Sequence, residues 1–178
     1  KQFFLNSIGL DENENTIVAN GIQLSSKLEI KSVDSINANY IDTQSQKNIF
    51  NIKKTNKRYI VKGDSFNGEY LIENILFSDK KNNYFDEDFE LILNVENINL
   101  DREFNLKNLT GNLIFKKKKL VDGSLQGDFP GDKKMNFSVR TMDSKIITTL
   151  FLDFAEPIVK KYKFIKGFDG GVLDFYSI

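Results

Sequence analysis

"VDGSLQGDF", Val121 to Phe129, alternates without a break. Val121, Gly123, Leu125, Gly127 and Phe129 fall on one side of an extended chain, and Asp122, Ser124, Gln126 and Asp128 on the other. Period two marks a strand with one apolar and one wet face, because successive Cβ atoms point to opposite sides of a sheet. The same period returns in "FELILNV", where Phe89, Leu91, Leu93 and Val95 oppose Glu90, Ile92 and Asn94. It returns again in "MNFSVR", with Met135, Phe137 and Val139 opposite Asn136, Ser138 and Arg140. Further strand-like runs are Phe3–Leu10, Gly21–Val33, Ile36–Ile41, Asn48–Lys53, Arg58–Lys62, Asn108–Lys116 and Lys145–Leu152.

Short turn signals separate these runs: residues 11–15 ("DENEN"), Pro130-Gly131-Asp132 and Asp143-Ser144. Connections this short join antiparallel neighbours, and polar-out, apolar-in alternation is the antiparallel habit. Asn108–Phe129 reads as a hairpin with its tip at Lys116–Lys119, where a lysine run shields the tip from edge pairing.

Two segments leave period two. Phe66–Phe77, "FNGEYLIENILF", spaces Phe66, Tyr70, Ile72, Leu76 and Phe77 as on a helix, with Ser65 as its cap and Glu69 in the first turn. Phe154–Ile165, "FAEPIVKKYKFI", follows Asp153 as cap and carries Pro157 in its first turn, where the missing N–H costs little. The expected fold is mainly β: a long, curved antiparallel sheet with two short helices at about 66–77 and 154–165. The whole of 1–178 reads as one segment, residues 1–64 as strands and 65–178 as helix, strands, helix and the start of a further strand.

Composition narrows the function. Of 178 residues, 25 are Lys or Arg and 25 are Asp or Glu, so there is no electrostatic footprint for nucleic acid. The chain has no Cys and no His. Cysteine zinc sites, disulfides and thiol nucleophiles are thereby excluded, as is the commonest general base near neutral pH. Asp86-Glu87-Asp88 lacks the spaced oxygen ligands and the glycine of a calcium loop. Ser78–Lys81 matches an S-x-x-K pattern without its companion motifs. No catalytic centre, metal or cofactor is expected. The 16 Phe are the feature to explain, since each buried one contributes about 1.5–3 kcal/mol.

The glycines of "KGFDGGVLDF", Gly167, Gly170 and Gly171, raise the question of a phosphate loop. A dinucleotide fingerprint runs strand, G-x-G-x-x-G, helix. Here the order is helix, glycines, strand, and the spacing differs. They read instead as a helix C-cap at Gly167 and a tight entry into a strand at Gly170-Gly171.

The order of features from Tyr59 onward resembles one family. It runs "YIVKGDSFNGEYLIENIL", "FELILNVENINL", the hairpin "LKNLTGNLIFKKKKLVDGSLQGDF", a strand pair, "FAEPIVKKYKFI" and "GFDGGVLDF". This is similar to the AsmA-like superfamily, in particular its YhdP-like C-terminal region, over about the last two-thirds of the chain. Asp153 matches the family's aspartate and Gly170-Gly171 its glycine pair. Phe154-Ala155-Glu156 departs from the small residues usual after that aspartate. The resemblance implies a bridge-like lipid-transfer protein, periplasmic and anchored to the inner membrane by a segment not present here. It implies an open apolar groove along which phospholipid acyl chains move between inner and outer membrane. Phe89, Leu91, Leu93, Leu113, Phe115, Val121, Leu125, Phe129, Phe137 and Val139 would line that groove. The alternative is a non-catalytic β-sandwich scaffold of an envelope or surface protein. In a sandwich those side chains pack on a second sheet; in a groove they face lipid.

Overall fold

The computed structural model describes residues 2–69, 88–100, 103–117, 119–162 and 170–178. It is mainly β: one long open sheet of 12 strands, not closed into a barrel. The strands are β1 (Phe3–Glu12), β2 (Asn15–Leu24), β3 (Ile30–Ser32), β4 (Ser35–Ile41), β5 (Lys47–Thr55) and β6 (Arg58–Asn67). They continue with β7 (Phe89–Asn99), β8 (Asn105–Lys116), β9 (Lys119–Phe129), β10 (Lys133–Met142), β11 (Lys145–Leu152) and β12 (Leu173–Ser177). Helix α1 (Glu156–Tyr162) lies between β11 and β12. Strands are neighbours in chain order, except that β3 pairs with β2 off the main path.

Turn chemistry sets this order. Asn13 (φ 56°) closes β1–β2, Asn56 (φ 57°) closes β5–β6, and Asp143-Ser144 (φ 48° and 67°) closes β10–β11. Positive φ in such tight loops matches the right-handed twist of the flanking strands. Gly131 (φ 77°) and Asp132 (φ 60°) do the same after Pro130. The hairpin tip lies where expected: Lys116 pairs with Lys119, and Lys117 N donates to Asp88 Oδ1 at 2.8 Å.

Several expectations change. Gly21–Val33 is not one strand. Ser25 Oγ accepts from the amides of Lys27 and Glu29 while Leu28 takes φ 63°, and this local knot ends β2 and turns the chain into β3. Ser65 caps nothing: β6 runs on through Asn67, and Ser65 Oγ donates to the Lys47 carbonyl at 2.8 Å. Phe66 is held in the strand by Ile98 opposite it and by an edge-to-face contact with Phe50, ring centroids 5.3 Å apart. The expected helix at residues 70–77 lies outside the described residues. Among the described residues every pairing is antiparallel but one: β6 and β7 run parallel. Asp153 is likewise no cap. It pairs along β10, its amide donating to the Lys134 carbonyl at 2.9 Å and its Oδ2 accepting from the Lys134 amide at 3.0 Å. Ala155 starts the helix instead, its carbonyl accepting from Val159 N at 3.0 Å.

One buried cluster gathers Leu93, Val95, Leu109, Leu113, Leu125, Phe129, Phe137, Val139, Leu150 and Leu152 from β7 to β11, with Ile158 of α1. A flat open sheet would leave these side chains wet. Their burial shows that this apolar face is covered, and among the described residues α1 and Phe154 before it pack against one end. Phe154 seals that end edge-on against Phe104 and Phe129, at 5.5 and 5.7 Å.

Close strand approach depends on two glycines. Gly111 (φ 145°) faces Leu125, and Gly123 (φ 137°) faces Leu113. A Cβ at either would overlap the partner strand's carbonyl oxygen, of Ser124 and Asn112 respectively. Gly111→Val and Gly123→Val should each destabilise the chain by about 2–4 kcal/mol, since both φ and space exclude a branched side chain. Gly131→Ala, at a turn with nothing within 4 Å of the new Cβ, should cost only about 1–2 kcal/mol for its φ. Urea denaturation of the three variants checks this ordering.

Candidate functional site

The pairing registers place one apolar row across the whole sheet. Ile8 faces Ala19, Ala19 faces Ile36, Ile36 faces Ile52, Ile52 faces Val61 and Val61 faces Leu93. The row continues through Gly111, Leu125, Phe137, Leu150 and Phe175. Directly paired residues share a face, so these side chains stand on one side from edge to edge, with no polar residue among them. The row runs perpendicular to the strands. Ten steps at about 4.8 Å give it a length of about 48 Å. A second row flanks it from Leu10 through Ile17, Ala38, Phe50 and Gly63 to Val95 and Leu109.

Exposure changes along the row. Leu93, Leu125, Phe137 and Leu150 are only 5–7% exposed. Ala19, Ile36, Ile52 and Val61 are half-buried, and the row opens fully at Ile8 (48%) and Phe175 (43%). The face is therefore sealed at β7–β11 and partly open at β1–β6.

Of the residues expected to line a groove, Phe89, Leu91, Leu93, Leu113, Phe115, Leu125, Phe129, Phe137 and Val139 all take part in, or pack against, one apolar assembly. Phe89 stacks on Phe115 (4.7 Å) and meets Tyr59 edge-on (5.6 Å). Val121 departs from the expected pattern. The register shifts between Ile114 and Phe115, opposite Asp122 and Leu120, and this bulge turns Leu120 rather than Val121 toward the cluster. No second sheet covers these residues among the described ones; they pack on each other and on α1. Gly170 and Gly171 hold φ 75° and 83°, the backbone expected of a joint, with Ala155 N donating to the Gly171 carbonyl at 2.9 Å. Gly167 lies outside the described residues.

Sequence reasoning missed the N-terminal half of the row, because Ala19, Ile36 and Ile52 sit in weakly patterned, Asn-rich strands. The signal that could have found them is registration through the tight turns at Asn13 and Asn56. It also missed a polar cluster at the end of β4–β6. There Asp42 Oδ1 accepts from the amides of Gln44 and Gln46, both at 2.9 Å. Its Oδ2 accepts from Asn67 Nδ2 at 2.6 Å and from Asn48 Nδ2 at 3.3 Å. Asn48 is wholly buried, and its Oδ1 accepts from the Asn67 amide at 2.8 Å. The cluster satisfies buried polar groups beside the row and fixes the β4–β5 loop against β6. Among the described residues no group of acidic side chains could hold a metal ion, and no helix is long and apolar enough to cross a membrane.

Comparison with family models, with curated proteins and with solved structures finds no match for this chain.

Partial burial pushes the Asp42 carboxyl up, but the hydrogen bonds from Asn67, Gln46, Gln44 and Asn48 outweigh it and hold the pKa below the ordinary 3.8. A carboxylate whose pKa is lower in the folded chain adds stability that is present above its unfolded value and is lost as pH falls through the folded one. Asp42→Asn should destabilise the chain by about 1–3 kcal/mol at pH 7, because the new amide points a donor at donors. The difference from wild type should shrink as pH falls below the ordinary carboxylate value, where the unfolded carboxyl protonates first and the folded one follows. Urea titrations from pH 7 to pH 3 read both effects.

Proposed function

We propose that this chain is a non-catalytic segment of a lipid conduit, carrying phospholipid along the apolar face of its sheet. The observation that supports it is the unbroken row from Ile8 to Phe175. A core needs apolar side chains to be enclosed, but it does not need them to reach both edges of an open sheet. The half-open part from Ile8 to Val61 spans four steps, about 19 Å. An acyl chain occupies roughly 15 Å, half of a bilayer's hydrocarbon core, so this part alone accommodates one. Lipid tails need a continuous apolar surface without specific partners, and half-buried aliphatic side chains provide it. In this reading the conduit is periplasmic and joins inner and outer membranes through parts outside this chain. Nucleic acid has no role in it, since the charges balance.

The close packing of β7–β11 favours a second reading, a non-catalytic β scaffold of an envelope or surface protein whose apolar face is a core and nothing else.

Photocrosslinking in cells separates the two. Probes at Ile52 and Val61 should yield phospholipid adducts. Probes at Asn51 and Lys62, neighbours on the opposite face, should yield none. Ile52→Asp should leave the chain folded, since the carboxylate reaches water from a half-open site, and should abolish the adduct at Val61. Leu125→Asp should instead unfold the chain by placing a charge in the sealed cluster, at a cost of several kcal/mol. Adducts on neither face, or on both faces equally, contradict the conduit.

A further inference from the structure

The wet face of β8–β11 carries a feature that the apolar row does not use. A shallow depression of about 350 Å³ lies there, lined by Ser124, Gln126, Asn136, Ser138, Thr149 and Phe151 among others. Its volume is at the lower end of ligand pockets, roughly 300–1,000 Å³. No charged side chain lines it, although 28% of the chain is charged. The registers explain the arrangement. One wet row runs from Thr110 through Gln126 and Asn136 to Phe151, and the next from Asn112 through Ser124 and Ser138 to Thr149 and Tyr176.

These rows combine amides and hydroxyls, each of which both donates and accepts. Some are already paired. Ser138 Oγ and Thr149 Oγ1 are 2.8 Å apart, and Gln126 Nε2 donates to Thr110 Oγ1 at 3.4 Å. The side chains of Ser124 and Asn136 hold no bond within the described residues and point into the depression. Beside them Phe151 is 37% exposed and Tyr176 59% exposed, two aromatic rings at the end of these polar rows. Asp174, paired with Phe151, puts a single carboxylate at the outer end of the row.

An uncharged lining excludes phosphate and polyanions, which need cations or helix N-termini. A wholly apolar ligand would strand the amides. The chemistry that satisfies both amides and rings is a neutral polyol with hydroxyls at its rim and C–H groups on its faces. We propose that the wet face of β8–β11 binds a neutral oligosaccharide, with Ser124, Gln126 and Asn136 hydrogen-bonding its hydroxyls and Phe151 stacking on a sugar ring. The strand spacing of about 4.8 Å is comparable to one pyranose unit, so successive strands meet successive sugars. The site is on the opposite face from the apolar row, and its fate is independent of the lipid reading.

Two-dimensional NMR titration of the chain with maltohexaose, cellohexaose and chitohexaose tests this, with oligogalacturonate as the acidic comparator. At least one neutral sugar should bind saturably with Kd on the order of 1 mM, shifting the amides of residues 124–126 and 136–138. Phe151→Ala and Asn136→Ala should each weaken binding about tenfold with unchanged thermal melting, and Phe151→Tyr should retain it. The proposal is overturned by absence of saturable binding to any neutral sugar, by tighter binding of the acidic one, by shifts confined to other strands, or by unaltered affinity in both the Phe151→Ala and Asn136→Ala variants.

Discussion

Register parity is the constraint on which everything else in this molecule depends. In a sheet the side-chain period is two, so a slip of one residue between any two strands turns all later apolar residues to the opposite side. Eleven strands in succession keep the row from Ile8 to Phe175 on one face. Two-residue turns with positive φ fix the β1–β2, β5–β6 and β10–β11 steps. Across the parallel step from β6 to β7 the row holds because Val61 meets Leu93 and Gly63 meets Val95. Bulges are placed where they correct parity. Asn108, at φ 53°, adds a residue between Lys107 and Thr110, and Leu106 and Leu109 thereby both reach the core.

The same face is used in two ways. Between β7 and β11 the face is buried, and glycines sit where neighbouring strands approach most closely. Gly111 and Gly123 each sit opposite a leucine, so small and large residues alternate across the hairpin. Leu106 lies over Gly127 in the same manner. Between β1 and β6 no such glycine–leucine interlock occurs in the row. Aliphatic side chains there remain half-buried, and the Asp42 cluster holds the strand ends in place. In the conduit proposed above, the partly open apolar part would contact lipid and the buried part would support it. The two edge strands expose apolar side chains at both ends of the row, Ile8 and Phe175 among them.

Strong alternation was legible in the sequence and weak alternation was not. Val121–Phe129 and Phe89–Val95 alternate cleanly because one face is a sealed core, and the faces of Leu91, Leu93, Leu125 and Phe137 follow from it directly. The Lys116–Lys119 tip and the joint at Gly170-Gly171 were legible for a local reason, namely turn chemistry. Phe66 was misread because helical spacing grouped it with residues 70–77, and only its contacts with Phe50 and Ile98 place it in β6. Asp153 satisfied every local rule for a cap, yet its carboxylate is taken by the Lys134 amide across the sheet. The parallel step was not legible, because short turn signals and alternation elsewhere point to antiparallel neighbours and only the pairing of β6 with β7 shows otherwise. Gly111 and Gly123 passed as ordinary members of an alternating run, because their role arises from the partner strand.

The central claim is that the row between Ile8 and Val61 is a lipid-contacting surface. Native mass spectrometry of the purified chain tests it most directly. The account expects a folded chain carrying additional mass in phospholipid increments, reduced when Ile36 and Ile52 are replaced by Asp. A folded wild-type chain with a single lipid-free mass, purified from membranes-containing lysate without detergent, would contradict it.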